Sequence, residues 1–417
     1  MRVAHIIAFS LAVASSSAAL PFIHRKPTVL SLQDSFQVPL FRENEGLDAT
    51  LEALETLVLA PIACANPSAD LPVKGDFPAL TFPIDQVSIV DIETKGAAIG
   101  NISVAVTDDA LIMAAKKSSS PALPEPSPAL SSNITFATSV SATTPELMAS
   151  LMLTPPTLVF DPITGKLTYN LTTPSKFLVP TDCAIVKLTA TVPKYVNITD
   201  LKVSTAMMSV DILGTAAHSN PDDGMDFESL DVLSVFGHVG IVQTKTATTV
   251  QAVSVNGEIT SDAIYAGVNV SYLATRGAIS LTNSVVNGNV SLTSILGSVY
   301  ASSVSFNGSF NASSRIGEAR AAPITILKDA SYPIDTSISI WSVLGAAYVE
   351  ITDPFDGPFN ASAGFASLPV VWDAKGLVTV IPGIYPTKVS GVRGQPNGLD
   401  YVNVASKVGG STLKFIG

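Results

Sequence analysis

Residues that carry chemistry are scarce in this chain. Its 417 residues include four histidines and two cysteines, and only 14% are charged and 7% aromatic. No H-E-x-x-H, G-x-S-x-G, P-loop or Gly-rich dinucleotide motif occurs, which removes the usual zinc-hydrolase, serine-hydrolase and nucleotide-binding signatures. A Ser-His-Asp triad would have to draw on His218 or His238, since His24 lies close to the start. No uninterrupted apolar run has the ~20 residues of a membrane-spanning helix, although mean hydropathy is +0.41. With 47% hydrophobic residues and so little charge, intrinsic disorder is excluded. The net charge of −11 repels phosphate backbones, which argues against nucleic acid as a partner.

What is present points first to a compartment. Met1-Arg2 precedes an apolar stretch, Ile6 to Ala14, and then small residues with Ser17 and Ala19 suited to a cleavage site, so residues 1–19 read as a secretory signal peptide. Nine of the asparagines begin N-x-S/T sequons: Asn101, Asn133, Asn170, Asn197, Asn269, Asn289, Asn307, Asn311 and Asn360. That excess favours a glycosylated, secreted, extracellular protein. Cys64 and Cys183 form an even pair in an oxidising route. If bridged they close a long loop, worth ~4–5 kcal/mol in the chain-entropy model; two buried thiols are the alternative. Ser411 to Gly417 lack the hydrophobic tail of a GPI signal.

The remaining sequence is organised around β-type runs. Residues 20–75 form an N-terminal segment in which Leu47, Leu51, Leu54 and Val58 predict an amphipathic helix over 43–60, stopped by Pro61. Residues 76–229 are β-rich and irregular, interrupted at 116–132 by a Pro/Ser loop that cannot pair as a strand. From 230 to 385 the chain repeats. Gly237, Gly257, Gly277, Gly297 and Gly317 stand at intervals of 20, each preceded three residues earlier by Ser234, Ser254, Ala274, Ser294 or Ser314. Val239, Ile259, Ile279, Val299 and Ala319 follow two residues after the glycines, and Val250, Val270, Val290, Phe310 and Ala330 thirteen after. Past Gly317 the spacing loosens to Gly345 and Gly364, implying a loop around 328–335 and then further coils, with C-terminal strands or a cap over 386–417. A fixed period with apolar columns predicts an all-β chain built as a right-handed parallel β-solenoid of about 20-residue coils.

The run Val186 to Lys194, then Leu201-Lys-Val-Ser-Thr205, leads into repeats carrying S-x-x-G-x-[VI]. Over roughly residues 185–320 this resembles the β-solenoid family known as putative adhesins, in its secreted fungal type. Arg276, Leu296 and Ile316 depart from the pattern, standing where a serine often precedes the glycine. The resemblance implies the fold and an extracellular setting, and it supplies no catalytic residues.

Site candidates are correspondingly few. His218, His238 and Glu258 share one offset, so stacking would align them as a ladder able to hold a zinc-like ion; the alternative is an ordinary polar outward column. The acid-rich stretch Asn220 to Glu228 could offer oxygens to calcium or form a plain Asp/Gly turn. No other cofactor is indicated. Asp262, Glu318, Asp329, Glu350, Asp353 and Asp356 are the carboxylates a β-helix polysaccharide lyase or glycoside hydrolase would need. Asn269 and Asn289 share an offset, so glycans there would cover neighbouring coils; an asparagine ladder is the alternative. The expectation is a non-enzymatic, adhesin-like module for a cell surface or cell wall, with polysaccharide as its partner.

Overall fold

The computed structural model describes residues 71–107, 133–175, 182–193, 198–215, 226–328, 335–352, 354–364, 367–381, 385–395 and 397–416. All of them belong to the unit Pro61–Gly417. The leader at 1–19, the expected helix at 43–60, Cys64, the loop at 116–132, Asn197, His218, Asp329 and Asp353 lie outside the described residues.

Strands dominate, and most of them pair in parallel. Asn269–Arg276 pairs with Asn289–Leu296 so that Asn269 faces Asn289 and Val270 faces Val290. The next strand, Ser309–Ile316, repeats this offset, with Val290 facing Phe310. A second series does the same: Ile279 faces Val299, and Val299 faces Ala319. The 20-residue period of the sequence is therefore the pairing register of the structure. Alternation does the rest, because every second side chain points to the same face. Along Asn289–Leu296, Val290, Leu292 and Ser294 are buried while their neighbours face outward. The core is a set of columns such as Val250, Val270, Val290 and Phe310, all within 1% of complete burial.

The S-x-x-G signature has a direct physical cause. Three of the serines are buried and donate their hydroxyls to a glycine carbonyl of the preceding repeat, Ser254 to Gly237 at 3.2 Å, Ser294 to Gly277 at 2.8 Å and Ser314 to Gly297 at 2.7 Å, while the buried Ser234 donates to the Met208 carbonyl at 3.1 Å. The glycine itself is required by the close approach of the chain. A Cβ at Gly297 would lie 2.1 Å from the carbonyl oxygen of Gly277. Ser294→Ala is expected to leave that buried carbonyl short of a donor and to cost ~1–2 kcal/mol, read from the urea midpoint. The natural Ala274 in the same column shows that one repeat tolerates the loss.

Another corner carries no residue signature. Gln243, Ala263, Asn283 and Ser303 all adopt positive φ, between 49° and 58°, and they too are 20 apart.

Parallel stacking begins before the repeats are visible in the sequence. Ile89–Lys95 pairs with Asp200–Thr205, and that strand with Phe227–Phe236. At this end the antiparallel strand Asn133–Ala142 joins Ala184–Pro193 to Val73–Asp76 and Leu80–Pro83. Helix α1, Pro145–Met152, follows directly, with Thr144 accepting from the Leu147 N–H at 3.2 Å and Pro145 at its first turn. Leu147, Met148 and Leu151 face inward. Two turns of helix are too short for a periodicity signal, although the Thr-Pro-Glu start is a recognisable cap.

Past Gly345 the expected order of coils is overturned. Phe310 faces Ile338, because the 328–335 insertion moves the column beyond Ala330. Ser337–Leu344 and Ala347–Thr352 then pair with Tyr401–Ser406 and Ser411–Phe415, not with the next segment of the chain. Gly357–Ser362 and Val370–Asp373 lie on the far side of those C-terminal strands. The segment expected as C-terminal strands or a cap does form strands, Tyr401–Ser406 and Ser411–Phe415, and they are interior rungs, not a cap. The glycine column accordingly runs Gly317, Gly345, Gly409, with the Gly364 N–H donating to the Gly409 carbonyl at 3.0 Å.

Candidate functional site

The stacking register places each sequence candidate. His238 and Glu258 occupy neighbouring rungs, since Val239 faces Ile259. Their Nδ1 and Oε1 atoms are 3.5 Å apart, at the outer limit of a hydrogen bond, and the Thr260 hydroxyl lies 3.1 Å from Nε2. Two members of the proposed ladder are therefore together, and no group of three His, Cys, Asp or Glu side chains suited to a metal occurs among the described residues. In the acid-rich stretch only the end is described. Asp226 is buried, accepting from the Lys245 N–H at 3.0 Å and the Thr215 hydroxyl at 2.7 Å.

The described sequon asparagines alternate with buried neighbours or lie at turns, but Asn101 departs from the rest in that its Oδ1 is itself buried. Asn269 and Asn289 form the ladder that their shared offset implied: the Asn289 amide donates to Asn269 Oδ1 at 3.1 Å, and Ser309 continues it, donating through N and Oγ to Asn289 Oδ1. Asn360 donates likewise to Asn403 at 2.9 Å. Cys183 is buried beside Ile185, and no cysteine is free among the described residues.

The carboxylates are dispersed and engaged. Asp262 accepts from the Thr282 hydroxyl at 2.6 Å and the Asn283 amide at 2.7 Å. Glu350 accepts from the Tyr348 hydroxyl at 2.6 Å, and Asp356 from the Gln395 N–H. Asp262 and Glu350 are four rungs apart, about 19 Å at the spacing of stacked strands, too far for the ~5–9.5 Å of a glycosidase pair. Glu318 is exposed at a corner.

A charged column lies near the N-terminal end. Asp91 faces Lys202, and Lys202 faces Asp231. Lys166 reaches Asp91 at 2.6 Å. Burial pushes the Asp231 carboxyl up from its ordinary value; Lys202 opposes the shift, and Asp91 and Asp200 reinforce it. A carboxyl with a raised folded pKa stabilises the fold below its unfolded pKa of ~3.9, and that contribution is lost as pH rises through the folded value. Asp231→Asn is therefore expected to melt ~1–3 °C higher than wild type at pH 7, the gain vanishing below about pH 4. Thermal melts across that range check it.

One surface was missed by sequence reasoning. Tyr300 faces Arg320, Arg320 faces Tyr348, Tyr348 faces Thr412, and Trp372 faces Lys414. Because Glu350 pairs with Lys414, five successive rungs present Tyr300, Arg320, Tyr348, Lys414 and Trp372 on outward positions. The Arg320 guanidinium carbon stands 4.8 Å from the Tyr348 ring centroid, and Lys414 Nζ stands 5.3 Å from it. Tyr348 therefore has two cations within reach of its ring, while Tyr300 and Trp372, 40% and 49% exposed, are open at the ends. Burial, with the neighbouring Glu350 carboxylate, pushes the Tyr348 phenol up from its ordinary value, and Lys414 opposes the shift. Elsewhere, an open depression of about 280 Å³ is lined by Asp76, Phe77, Thr138, Lys187 and Thr189.

The described residues define a largely parallel-stacked β protein whose outward positions align into ladders. No family model matches the chain, and no curated protein matches it. Among solved structures, a "putative cell adhesion protein" from Clostridium sporogenes ATCC 15579 is similar over 82% of this chain and 100% of its own, at 8% identity and a TM-score of 0.19. A "putative adhesin" from Bacteroides fragilis NCTC 9343 is similar over 84% and 100%, at 12% identity and a TM-score of 0.28. At these scores the likenesses assign nothing to this chain. No described helix is long and apolar enough to cross a membrane.

Proposed function

We propose that this chain is a secreted, glycosylated, right-handed parallel β-solenoid of about 20-residue coils, working outside the cell as an adhesin-like, non-enzymatic module that binds a cell surface or cell wall. The observation that carries this reading is the constant pairing offset. It stacks equal outward positions into flat, repetitive ladders, such as Asn269–Asn289–Ser309, and a repetitive surface suits a repetitive polymer. Polysaccharide is the proposed partner. The sequon asparagines on outward positions support glycosylation, and the leader-like residues 1–19 support secretion. A Cys64–Cys183 disulfide belongs to the same reading, supported by the lack of a free cysteine among the described residues.

The test is sedimentation of purified protein with insoluble β-glucan and chitin, run beside a reducing-end assay. Retention without product release is expected. Release of new reducing ends would replace this reading with a polysaccharide lyase or hydrolase. Intact mass before and after deglycosylation, and under reducing and non-reducing alkylation, tests the glycans and the bridge separately.

A further inference from the structure

We propose that the ladder Tyr300–Arg320–Tyr348–Lys414–Trp372 is a binding strip for a carboxylate-bearing polysaccharide, a polyuronate. This rests on the surface-binding reading above and names its ligand class. The strip alternates aromatic and cationic rungs over about 19 Å along the stack, stepping sideways by two residues between Tyr348 and Lys414, so side chains of one kind recur every ~10 Å along a slightly oblique line. That interval is close to the length of an extended disaccharide. A sugar chain running along the stack would thus meet the same chemistry at every second residue.

The two kinds of rung divide the work. Tyr348 has cations over its ring and so presents little open face to a sugar; it holds Arg320 and Lys414 in place. A guanidinium lying against a ring keeps its N–H edge free, which is the geometry that grips a carboxylate through two parallel hydrogen bonds. Among the described residues neither Arg320 nor Lys414 is in a salt bridge, although Glu350 faces Lys414 and Glu318 precedes Arg320 by two residues. Glu350 instead takes the Tyr348 hydroxyl at 2.6 Å. Tyr300 and Trp372, exposed at the ends, offer the apolar faces on which pyranose rings stack, as amphipathic aromatics do at wet interfaces. In a chain of net charge −11, two cations that Tyr348 positions and that enter no salt bridge among the described residues give the strip a local charge complement to an acidic polymer.

Affinity electrophoresis of the full chain in gels containing polygalacturonate or laminarin tests this. Wild type is expected to be retarded by polygalacturonate, less so as salt rises. The double variant Arg320→Glu with Lys414→Glu, and separately Tyr300→Ala with Trp372→Ala, should each weaken retardation by about tenfold or more, with unchanged melting temperatures showing that the fold is intact. Polygalacturonate retardation that persists in the charge-reversed variant overturns the strip as the site. Retardation by laminarin and not by polygalacturonate overturns the acidic ligand class while leaving the surface-binding reading in place. No binding to any polysaccharide, soluble or insoluble, removes both. Binding to phosphatidylserine vesicles that the same variants abolish, without polysaccharide binding, would reassign the strip to a membrane.

Discussion

Replacing Gly277 by alanine is expected to lower the unfolding free energy by ~3–5 kcal/mol, a value reached only when several penalties coincide. Gly277 has φ +143°, where side chains are rarely accommodated. A Cβ there would lie 2.0 Å from the Gly257 carbonyl oxygen and 2.9 Å from the Glu258 nitrogen. Both are backbone atoms, so no rotamer change relieves the contact. Nor can the chain slide away, because the Gly257 N–H donates to the Arg276 carbonyl at 2.9 Å and the Gly277 N–H to the Leu296 carbonyl at 3.0 Å. Opening the corner would break bonds to rungs on both sides. Gly376→Ala isolates the clash: that glycine also has positive φ, +66°, but nothing lies within 4 Å of its Cβ position. It should cost only the ~1–2 kcal/mol of the left-handed backbone. Urea unfolding of the two variants side by side decides the matter, and equal costs would mean that the corner is not closed by backbone contact.

The same corner explains which parts of the fold could be read from the sequence. Gly277 and Ser294 are constrained by atoms one rung away, so almost no other residue serves, and the constraint repeats as a visible column. The bend at Gln243, Ala263, Asn283 and Ser303 repeats just as strictly in the backbone, yet it accepts four different side chains and leaves no trace. Stacking order past Gly345 was illegible for another reason. A glycine corner specifies that some rung follows, not which segment of the chain supplies it, so Tyr401–Ser406 could take the place expected for Gly357–Ser362. Helix α1 escaped because eight residues hold too few periods to declare themselves.

Site legibility divides along the same line. The alignment of His238 with Glu258 follows from the offset alone. Tyr300, Arg320 and Tyr348 each stand three residues after a corner glycine, Gly297, Gly317 and Gly345, so three of the strip's five residues were available to anyone following outward offsets as well as inward ones. Lys414 and Trp372 were not, because their rungs join the strip only through the out-of-order stacking. A surface assembled from three distant stretches of chain has no local pattern to find.

Phe310→Ala is the second variant expected to act strongly, by ~3–5 kcal/mol. Phe310 is fully buried between Val290 and Ile338 in its column, and its ring centroid lies 5.2 Å from that of Phe306 across the interior. Truncation removes the transfer energy of a phenyl ring and leaves a void. How much a void costs depends on whether its walls can close in. Here they cannot close along the stack, because the rungs before and after are held at the ~4.8 Å strand spacing by continuous hydrogen bonds. Closing across the stack would require Phe306 to leave a column that it shares with Val286 and Ile326. The cost should therefore fall in the upper part of the range. Phe310→Val provides the comparison, since Val270 and Val290 fill the same position in earlier repeats and a smaller void remains. Denaturant curves should show a lower midpoint with an unchanged slope for both variants, the alanine being displaced further. If alanine costs no more than valine, the interior relaxes more freely than the hydrogen-bonded rungs allow, and the rigidity assigned to the stack is wrong.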